Sequence, residues 1–225
     1  MSEIRKAATI LLGRDGKDSF EILLLKRNKA LAFAGGLWVF PGGKVEKEEM
    51  EQSTDELSAA RLAAIRETKE EASLDIDPER LVFYRHWTTP VIEPRRYATY
   101  FFYAEVPDAN AKVQIDDSEI KEHQWIHPMQ ALERFKAGQL AMLPPTLMSL
   151  QLISNCKSAK EANQLLEKES PIYILPVLEP RGTKMICMYE GDAGFETTKA
   201  DTPGPRHRLT IDMTNGDFAF EYQDC

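Results

Sequence analysis

Phe40-Pro41-Gly42-Gly43, followed further along by Arg66-Glu67-Thr68-Lys69-Glu70-Glu71, is the stretch on which the fold turns. The first part is a loop. Its glycines allow tight backbone geometry and leave N–H groups free, which suits an anion such as phosphate. The second part has helical spacing. Glu67 shares a face with Glu70 and Glu71, three and four residues later. Three carboxylates on one helical turn repel one another. A hard divalent cation offsets that repulsion, because magnesium takes oxygen ligands from a few carboxylates and from substrate phosphates. Arg66 stands four residues before Glu70, and its planar fork suits a carboxylate. Alone, a charged helix face is more often simply solvated; the glycine loop ahead of it points to phosphate chemistry instead.

Outward from that stretch, the pattern predicts a helix from about Thr54 to Ser73. Ser53 or Thr54 is the expected N-cap, and Leu57, Ala60, Leu62, Ala64 and Ile65 are the expected apolar positions. Upstream, Ala7–Leu12 and Phe20–Arg27 read as strands of a hairpin joined by the turn-forming residues 13–18. Residues 32–43 read as a loop with special backbone demands, and residues 46–56 as an acidic stretch. Downstream, Leu81–Thr88 and Tyr97–Val106 read as strands, and Trp125-Ile126 as the start or end of a short one. Helices are expected from Pro128 to about Ala137, from Pro144 to about Ile153 and from Ala159 to Lys168. Four short strands are expected at the end: Ile172–Val177, Lys184–Tyr189, His207–Asp212 and Asp217–Tyr222. Strands, helix, strands, helices, strands is no regular βαβ alternation, so the expected class is α+β with a mixed sheet. Two parts are expected: 1–170 as the main domain, and 171–225 as a β-rich extension packed on it.

Composition excludes several classes. The chain has 225 residues, 43% hydrophobic and 28% charged, enough for one sizeable core. A formal net charge of -8 gives no basic footprint for a nucleic-acid duplex. An acidic chain still binds a polyanionic small molecule when a divalent cation bridges the two. Cys156, Cys187 and Cys225 are few and scattered, with neither a disulfide framework nor paired zinc spacing. The N-terminus lacks a signal-peptide apolar run, no segment is long enough to span a bilayer, and EYQDC is no peroxisomal or endoplasmic-reticulum address. A cytoplasmic, non-membrane protein is expected, with a homodimer as the commonest assembly prior.

These residues resemble the box of the Nudix hydrolase family: Gly, five residues, Glu, seven residues, then Arg-Glu-apolar-x-Glu-Glu-x-Gly-apolar. Gly43 and Arg66-Glu67-Thr68-Lys69-Glu70-Glu71-Ala72-Ser73-Leu74 match its ends. Twenty-two residues separate Gly43 from Arg66, nine more than in the family's box. The middle Glu therefore has two candidate positions: Glu49 by its spacing from Gly43, and Ser58 by the spacing from Arg66. Ser73 stands where the family has Gly, and Thr68 where it has a larger apolar residue. His86-Trp87-Thr88-Thr89-Pro90, Pro94-Arg95-Arg96-Tyr97, Trp125-Ile126-x-Pro128 and Leu143-Pro144-Pro145-Thr146 are similar to a subgroup with a lengthened box. That subgroup includes CoA diphosphatase-like members, and Ala98 stands where it often has Asp.

The resemblance implies an α/β/α sandwich and water attack on a P–O–P linkage of a nucleotide-like small molecule, such as CoA or acyl-CoA. ADP-ribose, a dinucleotide or a damaged nucleoside triphosphate are other candidates. Glu67, Glu70 and Glu71 would hold Mg2+ or Mn2+. Arg66, Glu67, Glu70 and Glu119 form the catalytic set, with Glu119 placed by its position ahead of Trp125. Arg27, Arg95 and Arg96 are candidates for substrate charge, at most one of the adjacent pair facing the cleft. Gly42 and Gly43 would lie against the substrate phosphates. Trp38 and Phe40 would stack on a base or pack in the core. His86 and His127 are expected to pack or cap. Two rival classes are a non-catalytic Nudix-like nucleotide-binding or sensor module, and an interaction protein with an incidental acidic helix.

Overall fold

The computed structural model describes residues 3–108, 111–215 and 217–222. The strands β1 (Ile4–Asp15) and β2 (Phe20–Arg27) form the predicted hairpin, paired through Gly13–Asp15. The glycine loop is more ordered than its composition implies. It carries two short strands, β3 (Trp38–Val39) and β4 (Gly42–Lys44). β3 pairs with β2, and β4 pairs with Ala7–Thr9 of β1. On its other edge β1 runs parallel to β6 (Arg96–Glu105), which is antiparallel to β5 (Val82–Thr88). β7 (Ile120–Ile126) pairs with the outer part of β2, so Trp125-Ile126 ends a longer strand. The result is the expected mixed sheet.

One face of this sheet is covered by α1 (Lys47–Gln52) and α2 (Glu56–Ala72). Small residues at helical spacing, Ala59, Ala60, Ala63, Ala64, Thr68 and Ala72, form the inner face of α2 and are buried. Their size lets the helix lie close to β1 and β4. Leu62, expected among the apolar positions, turns outward and is exposed. The N-cap is Asp55, whose carboxylate accepts from Ser58 N at 2.8 Å, rather than Ser53 or Thr54. α1 itself was not legible; it folds out of the acidic stretch.

The opposite face carries α3 (Pro128–Lys136), α4 (Pro144–Ile153) and α5 (Ala159–Lys168) over a second apolar cluster. His127 caps α3, its Nδ1 accepting from Met129 N, and His86 packs between Tyr100 and Tyr173. The expected strand Ile172–Val177 divides in two. β8 (Ile172–Ile174) joins the large sheet parallel to β5. β9 (Val177–Arg181) opens a four-stranded antiparallel sheet with β10 (Lys184–Met188), β11 (His207–Asp212) and β12 (Phe218–Tyr222). Leu209, Ile211 and Cys187 of this sheet join the same core as α3–α5. Cys156 and Cys187 are free and buried; Cys225 lies outside the described residues. No helix among the described residues is long and apolar enough to cross a membrane.

Candidate active site

Pairing of β4 with β1 fixes the loop backbone under the C-terminal half of α2. Pro41 O accepts from Ile10 N at 2.9 Å and from the Thr9 hydroxyl at 2.6 Å, clamping the loop on β1. Gly42 N then donates to Glu71 Oε2 at 2.9 Å. A Cβ at Gly42 would run into the Ala8 carbonyl and Thr9, and one at Gly43 would fall on the Glu67 carboxylate. Glycine is required at both positions because backbone and carboxylates meet there without room for a side chain.

Glu71 is only 4% exposed. Burial pushes its carboxyl up to about 8, the Gly42 N–H and Arg27 pulling the other way while the charges of Glu67 and Glu119 add to the rise. Glu67 is raised too, by burial first, with Arg66 opposing and Glu70 and Glu119 adding. Glu70 is the exposed member. Of the three glutamates, Glu67 and Glu71 lie against the glycine backbone, while Glu70 joins them through Arg66, and Glu67 feels the charge of Glu70 as Glu71 feels that of Glu67.

Two arginines balance this charge. Arg66 holds Glu49 Oε1 through Nε at 2.8 Å, and through Nη1 it holds Glu67 at 2.9 Å and Glu70 at 3.0 Å. Its Nη2 reaches the Lys44 carbonyl at 3.0 Å. Burial disfavours the charged guanidinium, yet the bonds to Glu49 and Glu67 outweigh that and raise its pKa. Arg27 spans the other side, with Nη1 3.5 Å from Glu71 and Nη2 3.1 Å from Glu119. Its Nε is buried without a partner among the described residues.

Glu119 reaches the group from a loop shaped by Asp116, whose carboxylate accepts from the backbone N–H groups of Ser118, Glu119 and Ile120. Asn28 N donates to Glu119 O at 2.7 Å, tying that loop to the end of β2.

The two candidates for the middle box position are separated clearly. Glu49 is buried in α1; it binds Arg66 and, through Oε2, caps Glu46 N at 2.7 Å. Ser58 binds Asp55 at the far end of α2. The extra residues of the box form the turn between α1 and the first residues of α2, which returns the chain without displacing either charged end.

Other sequence candidates fall elsewhere. Trp38 and Phe40 are 6% and 3% exposed and belong to the core beneath α3 and α4. Lys26 Nζ lies 5.6 Å from the centre of the Trp38 ring. Arg96 is buried and its Nε donates to Thr89 O at 3.0 Å, while Arg95 is exposed. Neither is bonded to the glutamates.

Among the described residues no three His, Cys, Asp or Glu side chains converge as a closed ligand set. The donor chemistry nevertheless fits a hard cation: oxygen-only side chains, mutually repelling, beside a glycine backbone that admits a phosphate.

The NUDIX domain model matches residues 3–144. A Caenorhabditis elegans protein named "Putative nudix hydrolase 7" is 28% identical over 211 residues, covering 78% of this chain and 69% of its own length. An acyl-coenzyme A diphosphatase of Xenopus laevis is 22% identical over 250 residues, covering 70% of this chain and 66% of its own length. Among solved structures, a NUDIX hydrolase from Alicyclobacillus acidocaldarius superposes with a TM-score of 0.65 at 23% identity, over 76% of this chain and all of that one. Nudix hydrolases act on small molecules with diphosphate linkages and generally use divalent metal ions. The family model spans well over half of the chain, which belongs to the Nudix hydrolase family.

Proposed function

We propose that this protein hydrolyses the diphosphate linkage of CoA or an acyl-CoA, using magnesium or manganese held by Glu67, Glu70 and Glu71. The observation that carries the proposal is the buried Glu71, bonded to the Gly42 N–H and flanked by Glu67 at Gly43. Such an ion supplies electrophilic polarisation of the phosphate oxygens. The chain supplies the rest. Gly42 and Gly43 carry no side chain, so the loop backbone can come close to the substrate phosphates. Arg66 fixes the angles of Glu67 and Glu70 by binding both from one nitrogen. Glu119, held by Arg27 at the rim of the same group, is the candidate acceptor for the proton of the attacking water. Arg27, already within 3.5 Å of Glu71, is the cation best placed to meet substrate charge.

The CoA assignment is supported by the name of the Xenopus laevis relative and by the lengthened box. Its test is a hydrolysis panel of CoA, acetyl-CoA, ADP-ribose and dinucleoside polyphosphates with Mg2+ or Mn2+. CoA species are expected to be cleaved at least tenfold faster than the others. Turnover of ADP-ribose alone overturns the substrate, and no metal-dependent turnover on any member overturns the enzyme assignment.

A further inference from the structure

A cavity of about 180 Å³ lies between α4 and the C-terminal sheet. The core of the large sheet separates it from α2, because α2 packs on one face and α4 on the other. Its walls are mostly apolar: Leu147, Met148 and Leu152 from α4, and Leu209, Phe218 and Phe220 from β11 and β12, with the exposed Gln151 of α4 as the one neutral polar member. Arg85 is the charged member of the lining, and its residue surface is only 9% exposed.

The backbone turns Arg85 there deliberately. The register of β5 on β6 shifts between Phe83 and Arg85, a bulge at Tyr84. Without it, Arg85 would alternate onto the face of Phe83. With it, Tyr84, Arg85 and Trp87 all point to the α4 side, whereas Phe83 and His86 pack on Tyr100 and Tyr173. Bulges re-aim side chains in this way beside functional sites.

The field of Glu169 reaches the guanidinium, but no carboxylate is hydrogen-bonded to it among the described residues. Arg85 Nη1 is buried with no hydrogen-bond partner. Two neighbouring donors share that state, Trp87 Nε1 and the Tyr189 hydroxyl, whose rings meet edge to face at 5.8 Å. A buried donor without a partner on a charged group is costly, and a distant carboxylate field does not fill its hydrogen bond, so Nη1 suits an anion that reaches it directly. Trp87 and Tyr189 do not line the cavity, so the ligand meets one guanidinium, which matches a single negative charge; a doubly charged phosphate would need a second cation. The apolar walls match a hydrocarbon. A cavity of about 150 Å³ lined by aliphatic side chains takes benzene, so this one accommodates roughly six to eight carbons.

We propose that the cavity is a second ligand site, taking a small amphipathic carboxylate. Its head pairs with Arg85, and its tail lies among Leu147, Leu152, Leu209, Phe218 and Phe220. The C-terminal extension then has a definite role, since without β11 and β12 the site has no outer wall.

The probe is octanoate, followed by calorimetry and thermal unfolding on the full chain, with octanol and inorganic phosphate alongside. Octanoate is expected to bind saturably and raise Tm by on the order of 5–10 °C at a hundredfold excess over Kd. Arg85→Met preserves volume and removes the buried charge, and is expected to weaken octanoate at least tenfold. Leu152→Trp fills the cavity from a half-exposed position and keeps Arg85, and is expected to do the same. It decides the matter if Arg85→Met fails to fold. The proposal is overturned if octanoate does not bind the wild-type chain, if the folded variants bind it as the wild type does, or if octanol or phosphate binds as tightly.

Discussion

Arg66 Nε lies 2.8 Å from Glu49 Oε1, joining α1 to α2 across the extra residues of the box. The bond explains how the box tolerates its lengthening. Glu49 and Arg66 are seventeen residues apart in sequence, yet the intervening turn is looped outward and the ion pair closes its base. Glu49 is buried and makes a second bond to the Glu46 N–H, so removing it leaves two donors without a partner.

Glu49→Ala is therefore expected to destabilise the fold by about 2–3 kcal/mol, the cost of losing charged hydrogen bonds at a partly buried site. Glu49→Gln retains the shape but weakens the hold on Arg66. It is expected to lose less stability and about 10–100-fold in turnover, as for other residues that orient ligands through a neighbour. Denaturant midpoints and kcat measured on both variants test this. Equal turnover in Glu49→Gln and wild type would show that Arg66 needs no such anchor.

Glu71→Gln separates function from stability. Burial pushes the Glu71 carboxyl up to about 8, so below that pH the metal-free protein carries it largely protonated, and a neutral amide replaces a neutral carboxyl at little cost. The apo protein is expected to keep its Tm. Turnover is expected to fall about a hundredfold or more, and the rise in Tm on adding Mg2+ or Mn2+ to shrink. A variant with normal turnover and normal response to metal would remove Glu71 from the site.

Gly43→Ala places a methyl group where the Glu67 carboxylate sits. The helix and the loop cannot separate freely because Pro41 is clamped to β1. Turnover is expected to drop about tenfold or more with only a modest change in unfolding midpoint. A larger fall in stability than in activity would mean that the loop, not Glu67, gives way.

These three sites differ in how well the sequence announces them. Glu67, Glu70 and Glu71 were legible because helical periodicity alone puts them on one face. Glu49 was legible only as one of two alternatives, by its spacing from Gly43; Ser58 had the spacing from Arg66, and the bond to Arg66 in space distinguishes them. Trp38 and Phe40 were ambiguous for a related reason. A glycine loop with aromatic residues reads as a binding loop, but pairing of β3 with β2 turns both rings into the core. The bulge at Tyr84 is invisible to a period-2 reading, because it is an interruption of that period.

Ser73 replaces the family's Gly at the C-cap of α2, and it takes the left-handed conformation, φ 56° and ψ 30°. Only glycine adopts it without steric cost, which is about 1–2 kcal/mol for other residues. The Ser73 hydroxyl recovers part of this by donating to Gln114 O at 3.1 Å. Ser73→Gly is expected to raise stability by about 0.5 kcal/mol, and Ser73→Ala to lower it by about 1 kcal/mol. Chemical denaturation of the pair checks the sign; a destabilised glycine variant would mean that the bond to Gln114 outweighs the backbone cost.

The C-terminal sheet carries its own acid sensitivity. Asp192 and Arg208 form a buried bidentate pair, with Nη2 2.6 Å from Oδ1 and Nε 2.7 Å from Oδ2. Burial alone would raise the Asp192 carboxyl; the Arg208 fork and the N–H groups of His207 and Gly194 outweigh it and hold it below 3.8. A carboxyl whose folded pKa is depressed binds fewer protons in the folded state than in the unfolded one. Its contribution is thus complete above about pH 4 and is lost as the pH falls through the folded value. Asp192→Asn leaves Arg208 buried and uncompensated, and is expected to cost about 3 kcal/mol at neutral pH. Its unfolding midpoint should then change less than the wild type's between about pH 4 and pH 2, since the titrating group is gone. Amide exchange at Leu209 and Ile211 across that range locates the effect: faster exchange there than in β1 and β6 is the expected result, and uniform loss of protection over both sheets would place the acid-labile contact elsewhere.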